Sequence, residues 1–156
     1  INKFRDTVMT DIFNQIRNLS GGFLKIILDP FIIEFYVNDL KYLARGGRLS
    51  SAIAKVGSII GIKPILSVTE DGTLQNVCKA RKTSGAIKKI KERFLATSVE
   101  KEMICILHSN NLDKALSLKA DLEMEQSFSQ VFITEIGPAI GSHTGPECLG
   151  LAYMEI

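Results

Sequence analysis

The 156-residue sequence has little net charge and no long apolar run. Its 19 Lys+Arg nearly balance its 17 Asp+Glu, and the formal net charge of +2 disfavours a nucleic-acid binder that relies on bulk charge. The longest unbroken apolar run is Met103–Leu107, whereas a transmembrane helix needs about 20 mostly apolar residues. Residues 2–11 are polar and mixed in charge, so we expect no secretory signal there.

Cysteine and histidine are scarce, and the familiar catalytic motifs are missing. The cysteines Cys78, Cys105 and Cys148 are widely spaced, which favours reduced thiols in a cytoplasmic protein over a disulfide or zinc framework. No metal-ligand spacing occurs, so neither a metal nor another cofactor is expected. The glycine-rich nucleotide loops and the Gly-x-Ser-x-Gly motif are also absent. These absences favour a non-catalytic binding protein and disfavour a small-molecule kinase or phosphatase.

The hydrophobic pattern predicts one globular domain in which helices and strands alternate. Helices are predicted over residues 2–19, 39–45, 50–60, 84–95 and 111–124, and extended segments over 23–28, 32–37, 64–68, 73–77, 103–107, 131–136 and 149–154. Asp71-Gly72 predicts a hairpin between two of these segments. Interleaved helices with one hairpin indicate an α/β (α+β) domain, built as a two-layer sandwich with a mixed sheet.

A glycine-marked loop at residues 43–50 is the first candidate site. Gly46 and Gly47 permit a turn with positive φ, and Ser50 is predicted to cap a helix whose free N–H groups attract an anion. Arg48 adds a forked charge that matches a carboxylate or phosphate. A plain helix cap with a surface arginine is the alternative. The helix over 50–60 is apolar nearly all round, so it is either buried or lines an apolar cavity.

Two further segments carry polar groups that could bind a ligand or a partner. The segment 137–146 holds two Gly-Pro pairs, which predict a stiff loop that either positions His143 and Thr144 or serves the fold alone. The segment 79–93 is strongly basic, which is typical of a solvated helix face and also fits a docking surface for an acidic partner. Within it, Arg81 stands at a strand-to-helix junction, where a side chain can point into a cleft.

Together these segments resemble the second half of DegV-family proteins. The resemblance rests on Asp39–Leu43 leading into Gly46–Ser50, on Ile62–Leu66, and on Gly137-Pro138 with Ile140–Pro146. DegV proteins are bacterial fatty-acid-binding proteins with two α/β domains that hold the acyl chain between them. The characterised members present the fatty acid carboxylate to a separate kinase, which makes an acyl phosphate.

The resemblance implies that residues 34–156 form the C-terminal domain of such a two-domain protein, with a mixed sheet of about six strands. Residues 1–33 then form an N-terminal helix and an extended connection that the family pattern matches poorly. The family's first domain, with its serine and threonine hydroxyls, has no counterpart in this sequence. Because the chain starts at Ile1 rather than Met, we expect either the C-terminal part of a longer protein or a stand-alone variant.

The resemblance also implies a long-chain fatty acid as the ligand and a fatty acid kinase subunit as the partner. The expected head-group contacts are Arg48, Ser50, Arg81, His143 and Thr144. The expected acyl-tail lining is Ile53, Val56, Ile59 and Ile60. The alternative is a stand-alone interaction or oligomerisation domain of the same fold, such as a homodimer, that binds no lipid.

Overall fold

The computed structural model describes residues 31–53, 61–69, 73–97 and 99–155. The strands in these ranges are β1 (Phe31–Tyr36), β2 (Lys63–Val68), β3 (Leu74–Ala80), β4 (Val99–His108), β5 (Gln130–Glu135) and β6 (Leu149–Glu155). The helices are α1 (Lys41–Arg45), α2 (Leu49–Ile53), α3 (Thr83–Ala96), α4 (Leu112–Glu125) and α5 (Pro138–Thr144). The predicted helix over 2–19, the extended segment over 23–28 and the Asp71-Gly72 turn lie outside the described residues.

The six strands form one mixed sheet in the order β3-β2-β1-β6-β4-β5. Strands β4 and β5 run parallel, joined by the crossover helix α4, and the other neighbours run antiparallel. The predicted mixed sheet of about six strands is therefore confirmed. The β2–β3 pairing also confirms the predicted hairpin strands, and the Thr69 N–H donates to the Thr73 carbonyl at 2.9 Å beside the turn.

Alternation along the strands places an apolar cluster on each face of the sheet. On one face, Tyr36 and Ile65 pack with residues of the long helices α3 and α4, including Phe94 and Leu118. These helices and the sheet form the predicted two-layer unit. On the other face the short helices α1, α2 and α5 contribute Leu43, Ala52 and Ile140 to a second cluster.

The topology brings the polar loops to one edge of the sheet. The carboxyl ends of β1, β3, β4 and β5 meet the amino ends of β2 and β6 there, as the strand registers require. The loops that follow β1 and β5 lead into α1 and α5, which pack against each other. Segments that are far apart in the sequence therefore share this edge.

Two local predictions were wrong. The segment 137–146 is not an irregular loop, because α5 occupies Pro138–Thr144. Proline is favourable at the first helical position, since it has no N–H to leave unsatisfied, and Gly145 ends the helix with a φ of 72°. Helix α2 begins at Leu49 rather than after Ser50, because the Ala52 N–H donates to the Arg48 carbonyl at 3.1 Å.

Candidate functional site

Arg48 and His143 meet at the polar edge of the sheet. The Arg48 guanidinium donates a hydrogen bond to the Gly46 carbonyl, which holds the arginine against its own loop. The His143 ring lies on Gly46 so closely that a Cβ placed there would be 2.9 Å from its Cε1 atom. The sequence therefore identified two side chains that tertiary folding brings together.

The electrostatics of this pair favour an anion. Burial, and then the nearby Arg48 charge, lower the pKa of His143 below its usual value. The imidazole is therefore mainly neutral at pH 7, with one N–H that can donate. Arg48 is exposed, and its guanidinium supplies a positive charge. The pair can offer a carboxylate one fixed positive charge and one neutral hydrogen-bond donor.

The segment that carries His143 is held at two further points, one on α1 and one on the β1–α1 loop. The Tyr42 ring packs over Gly145, where a Cβ would lie 2.6 Å from the ring Cγ atom. The Asn38 side-chain amide donates to the Glu147 carboxylate at 2.5 Å. The Lys63 ammonium in turn donates to Asn38 Oδ1 at 2.6 Å. These contacts fix the position of α5 relative to the Gly46–Ser50 loop.

The surroundings of Thr144 differ from those expected of a donor to the ligand head group. It is 1% exposed, and its hydroxyl donates to the Ile140 carbonyl one turn earlier at 3.3 Å. It also forms a side-chain hydrogen bond with Cys148, whose thiol pKa burial raises to about 12. The hydroxyl therefore serves the last turn of α5 in this structure.

The other predicted contacts lie around the α2 helix. Ser50 is exposed in its first turn, next to Arg48. Ile53 is the last described residue of α2. Val56, Ile59 and Ile60 lie outside the described residues, so their expected role in lining an acyl tail stays a prediction.

Arg81 lies at the same edge of the sheet but apart from the Arg48–His143 pair. It follows β3, which is two strand spacings, or about 10 Å, from β1. It precedes α3, which packs on the opposite face from α1, α2 and α5. There it lines a groove of about 860 Å³ with two more basic side chains, Lys79 and Lys89, and with Gly61 and Gly85.

Three charges of the basic helix α3 are already paired within the protein. Arg93 forms a bidentate ion pair with Glu34, with both Nε–carboxylate distances at 3.0 Å. Lys91 lies 3.3 Å from Glu125, and Lys88 lies 3.7 Å from Glu92. Within the described part of this segment, Arg81 and Lys89 line the groove and lie outside these three ion pairs.

The family model that matches this chain covers residues 26–155, and it is the model of the DegV family. The chain belongs to the DegV family. A DegV domain-containing protein of Halalkalibacterium halodurans is 39% identical over 121 residues, which are 76% of this chain and 42% of that protein. This DegV chain thus spans less than half the length of that curated relative.

Solved DegV structures share the fold. The fatty acid binding DegV family protein from Streptococcus agalactiae matches with a TM-score of 0.71 and 27% identity. The match covers 97% of this chain and 54% of that protein chain. The Streptococcus pneumoniae fatty acid kinase B3 protein, loaded with linoleic acid, has a TM-score of 0.72 and 17% identity, with 99% and 54% covered. At 17% identity this second likeness concerns the fold alone.

The candidate site of this DegV chain also contains residues that the sequence did not single out. Tyr42 and Asn38 were not singled out, and neither was Glu147, which adopts a φ of 60° that favours glycine. None of them has a local signature, because their partners come from a distant segment of the chain. Among the described residues, no cluster of His, Cys, Asp or Glu could hold a metal ion, and no helix is long and apolar enough to cross a membrane.

Proposed function

We propose that this chain binds a long-chain fatty acid and holds its carboxylate at Arg48 and His143. The observation that carries this proposal is the meeting of these two side chains at the polar edge of the sheet, against Gly46. Arg48 offsets the carboxylate charge, and the neutral His143 donates a hydrogen bond. Ser50, exposed in the first turn of α2 and two positions after Arg48, is a further proposed donor to the head group.

The fatty-acid tail supplies most of the binding energy in this proposal. Each buried methylene contributes about 0.8 kcal/mol, so about 14 methylenes contribute on the order of 11 kcal/mol before costs. Association and ordering remove a large part of that gain. The apolar residues Ile53, Val56, Ile59 and Ile60 are the proposed lining. The head-group contacts then set the orientation of the ligand.

The relatives support a fatty acid over other anions. The Streptococcus agalactiae protein, at 27% identity, is a fatty acid binding DegV family protein. The Streptococcus pneumoniae protein carries linoleic acid. This chain matches 54% of each of those chains, so we propose that it supplies part of the surface that surrounds the ligand.

Thr144 has a positioning role in this proposal rather than a direct contact. To donate to a carboxylate, its hydroxyl would have to leave the Ile140 carbonyl, and the residue would have to become exposed. Its hydrogen bond instead completes the turn that carries His143.

Native mass spectrometry with added long-chain fatty acid tests the proposal. We expect the chain to gain acyl mass, and we expect Arg48→Ala to retain at least about tenfold less ligand, since a hydrogen bond to a charged group contributes about 1.5–3 kcal/mol. Arg45→Ala is the matched control, because Arg45 is an exposed arginine of the neighbouring helix that stacks 5.8 Å from the Tyr42 ring. Equal retention in the two variants would contradict the site, and no acyl mass in the wild type would contradict the ligand.

We further propose that the chain takes no part in phosphoryl transfer and presents its ligand to a fatty acid kinase subunit in the cytoplasm. The Arg81 groove, with Lys79 and Lys89, is the proposed docking surface because it gathers basic side chains beside the site edge. A protein surface rich in Asp and Glu would complement it. The three free thiols support the cytoplasmic location.

Biolayer interferometry against a bacterial fatty acid kinase catalytic subunit tests the docking surface. We expect Arg81→Ala to slow association and to reduce its dependence on salt, since rim charges act mainly on the association rate. Lys88→Ala is the control, because Lys88 lies on the same helix and is paired with Glu92. The docking proposal fails if both variants associate at the same rate.

A second candidate function is self-association. The outer face of α4 exposes three large apolar side chains, Leu112 at 51%, Leu116 at 50% and Met124 at 81%. Their spacing is a multiple of four, so they form one stripe along the helix. Sedimentation velocity distinguishes the candidates: a lipid-free dimer that Leu116→Ser dissociates supports self-association, whereas a lipid-loaded monomer supports the binding function.

A further inference from the structure

The backbone conformation of Gly46 does not require a glycine. Its φ of −80° and ψ of −1° are accessible to any residue. Its neighbour Gly47, by contrast, has a φ of 69°, which favours glycine for its backbone alone. What distinguishes Gly46 is its surroundings, because a Cβ there would lie inside van der Waals contact with the His143 ring and 3.1 Å from its Cγ atom.

Helix α5, which carries the His143 ring, cannot easily move away from Gly46. His143 stands in the last turn of α5, and that turn is fixed by the packing of Tyr42 on Gly145 and by the Asn38–Glu147 hydrogen bond. A side chain at position 46 would therefore push the imidazole out of its place rather than shift α5 as a whole. The ring would then become more exposed and would lie farther from Arg48.

We propose that Gly46 is a positioning residue, whose missing side chain provides the seat that holds the His143 ring beside Arg48. This inference rests on the proposed function for its consequence in ligand binding. The seat itself is a property of the folded chain, so it can be measured without any fatty acid.

The Gly46→Ala variant tests the seat by nuclear magnetic resonance. The His143 ring signal is assigned by its loss in His143→Gln, and its titration is followed in the 156-residue chain. We expect Gly46→Ala to raise the midpoint of the His143 titration toward that of an ordinary histidine, because the ring loses burial and its proximity to Arg48. The control is Gly141→Ala, in the middle of α5, where a Cβ would meet only the Ile136 carbonyl at 3.9 Å.

A double variant keeps the inference testable if Gly46→Ala unfolds the chain. Removing the ring in Gly46→Ala/His143→Ala should restore the thermal midpoint to that of His143→Ala alone, because the two positions are coupled. A double variant as unstable as Gly46→Ala would overturn the inference, and so would an unchanged His143 titration in a folded Gly46→Ala chain.

Fatty-acid retention separates this inference from the proposed function. If the wild type binds fatty acid, Gly46→Ala should retain about tenfold less, whereas Gly141→Ala should retain the same amount. If the wild type binds none, the proposed function fails, while the His143 titration still decides whether Gly46 forms the seat. Equal retention by the two variants in a chain that binds fatty acid would overturn the positioning role.

Discussion

Arg93 on α3 and Glu34 on β1 form a bidentate ion pair across the face of the sheet. Both carboxylate oxygens lie 3.0 Å from Arg93 Nε, and Nη2 approaches Oε1 at 2.6 Å. Glu34 is only 3% exposed, and this ion pair offsets the hydration that the buried carboxylate loses. The pair fixes the long helix α3 to the central strand β1. Because Arg93 is paired inside the protein, it does not contribute to the docking surface that the sequence predicts over residues 79–93.

Truncation of this arginine should destabilise the fold. In Arg93→Ala the Glu34 carboxylate stays buried without its partner, and breaking such pairs costs about 3–5 kcal/mol; we expect about 3 kcal/mol here because the Arg93 side chain is 41% exposed. Urea unfolding measures the change. Lys88→Ala, which breaks an exposed pair on the same helix, should change stability by no more than about 0.5 kcal/mol. Similar losses in the two variants would contradict the importance of the buried pair.

The free energy of unfolding should decrease as the pH falls, because of the titration of His143. Burial and Arg48 lower the pKa of this histidine in the folded chain, so the unfolded chain binds a proton first as the pH drops below about 6.5. Above that pH, His143 should leave the free energy of unfolding unchanged; below about pH 6.5, the free energy should decrease as the pH falls. Chemical denaturation at several pH values measures the slope. The slope should be shallower in His143→Gln, and an identical slope would contradict the assignment.

The three thiols should differ in reactivity. Burial raises the pKa of both Cys105 and Cys148 to about 12, so neither forms a reactive thiolate at pH 8. Burial also raises the pKa of Cys78, but this residue is only half-buried and is the most exposed of the three. Iodoacetamide followed by peptide mass spectrometry should label Cys78 slowly in the folded chain and the other two only in urea. Early labelling of Cys105 would contradict the buried strand β4.

Two glycine-to-alanine changes should have opposite effects. A Cβ on Gly150, in β6, would lie 2.5 Å from the Glu34 carbonyl oxygen of the adjacent strand, and backbone in the middle of a sheet cannot move aside. We expect Gly150→Ala to lose at least about 2 kcal/mol, in the range of overpacked cores. Gly141→Ala, inside α5, should gain up to about 1 kcal/mol from helix propensity. Thermal unfolding compares them, and a neutral Gly150→Ala would show that β1 and β6 are more loosely paired than the register indicates.

The amino-acid sequence by itself determined most of the strands and the two long helices, and it named candidate side chains for an anion site. Local rules suffice for this, because apolar spacing, the basic segment and the turn residues act over a few neighbouring positions. They identified the strands of the sheet, the long helices α3 and α4, and the side chains Arg48 and His143 as candidates for anion binding. The same local reasoning failed at α5, where two Gly-Pro pairs were interpreted as a loop although Pro138 begins a helix.

Only the tertiary structure decided which of the candidates act together. The strand order β3-β2-β1-β6-β4-β5 brings the loops after β1 and β5 to one edge and seats His143 on Gly46. It places Arg81 at the end of β3, a strand about 10 Å from β1 across the sheet. It also paired Arg93 with Glu34 and buried Thr144. These contacts depend on strand pairing between segments that are distant in the sequence. The residues on either side of a position therefore do not indicate which side chains it will contact across the sheet.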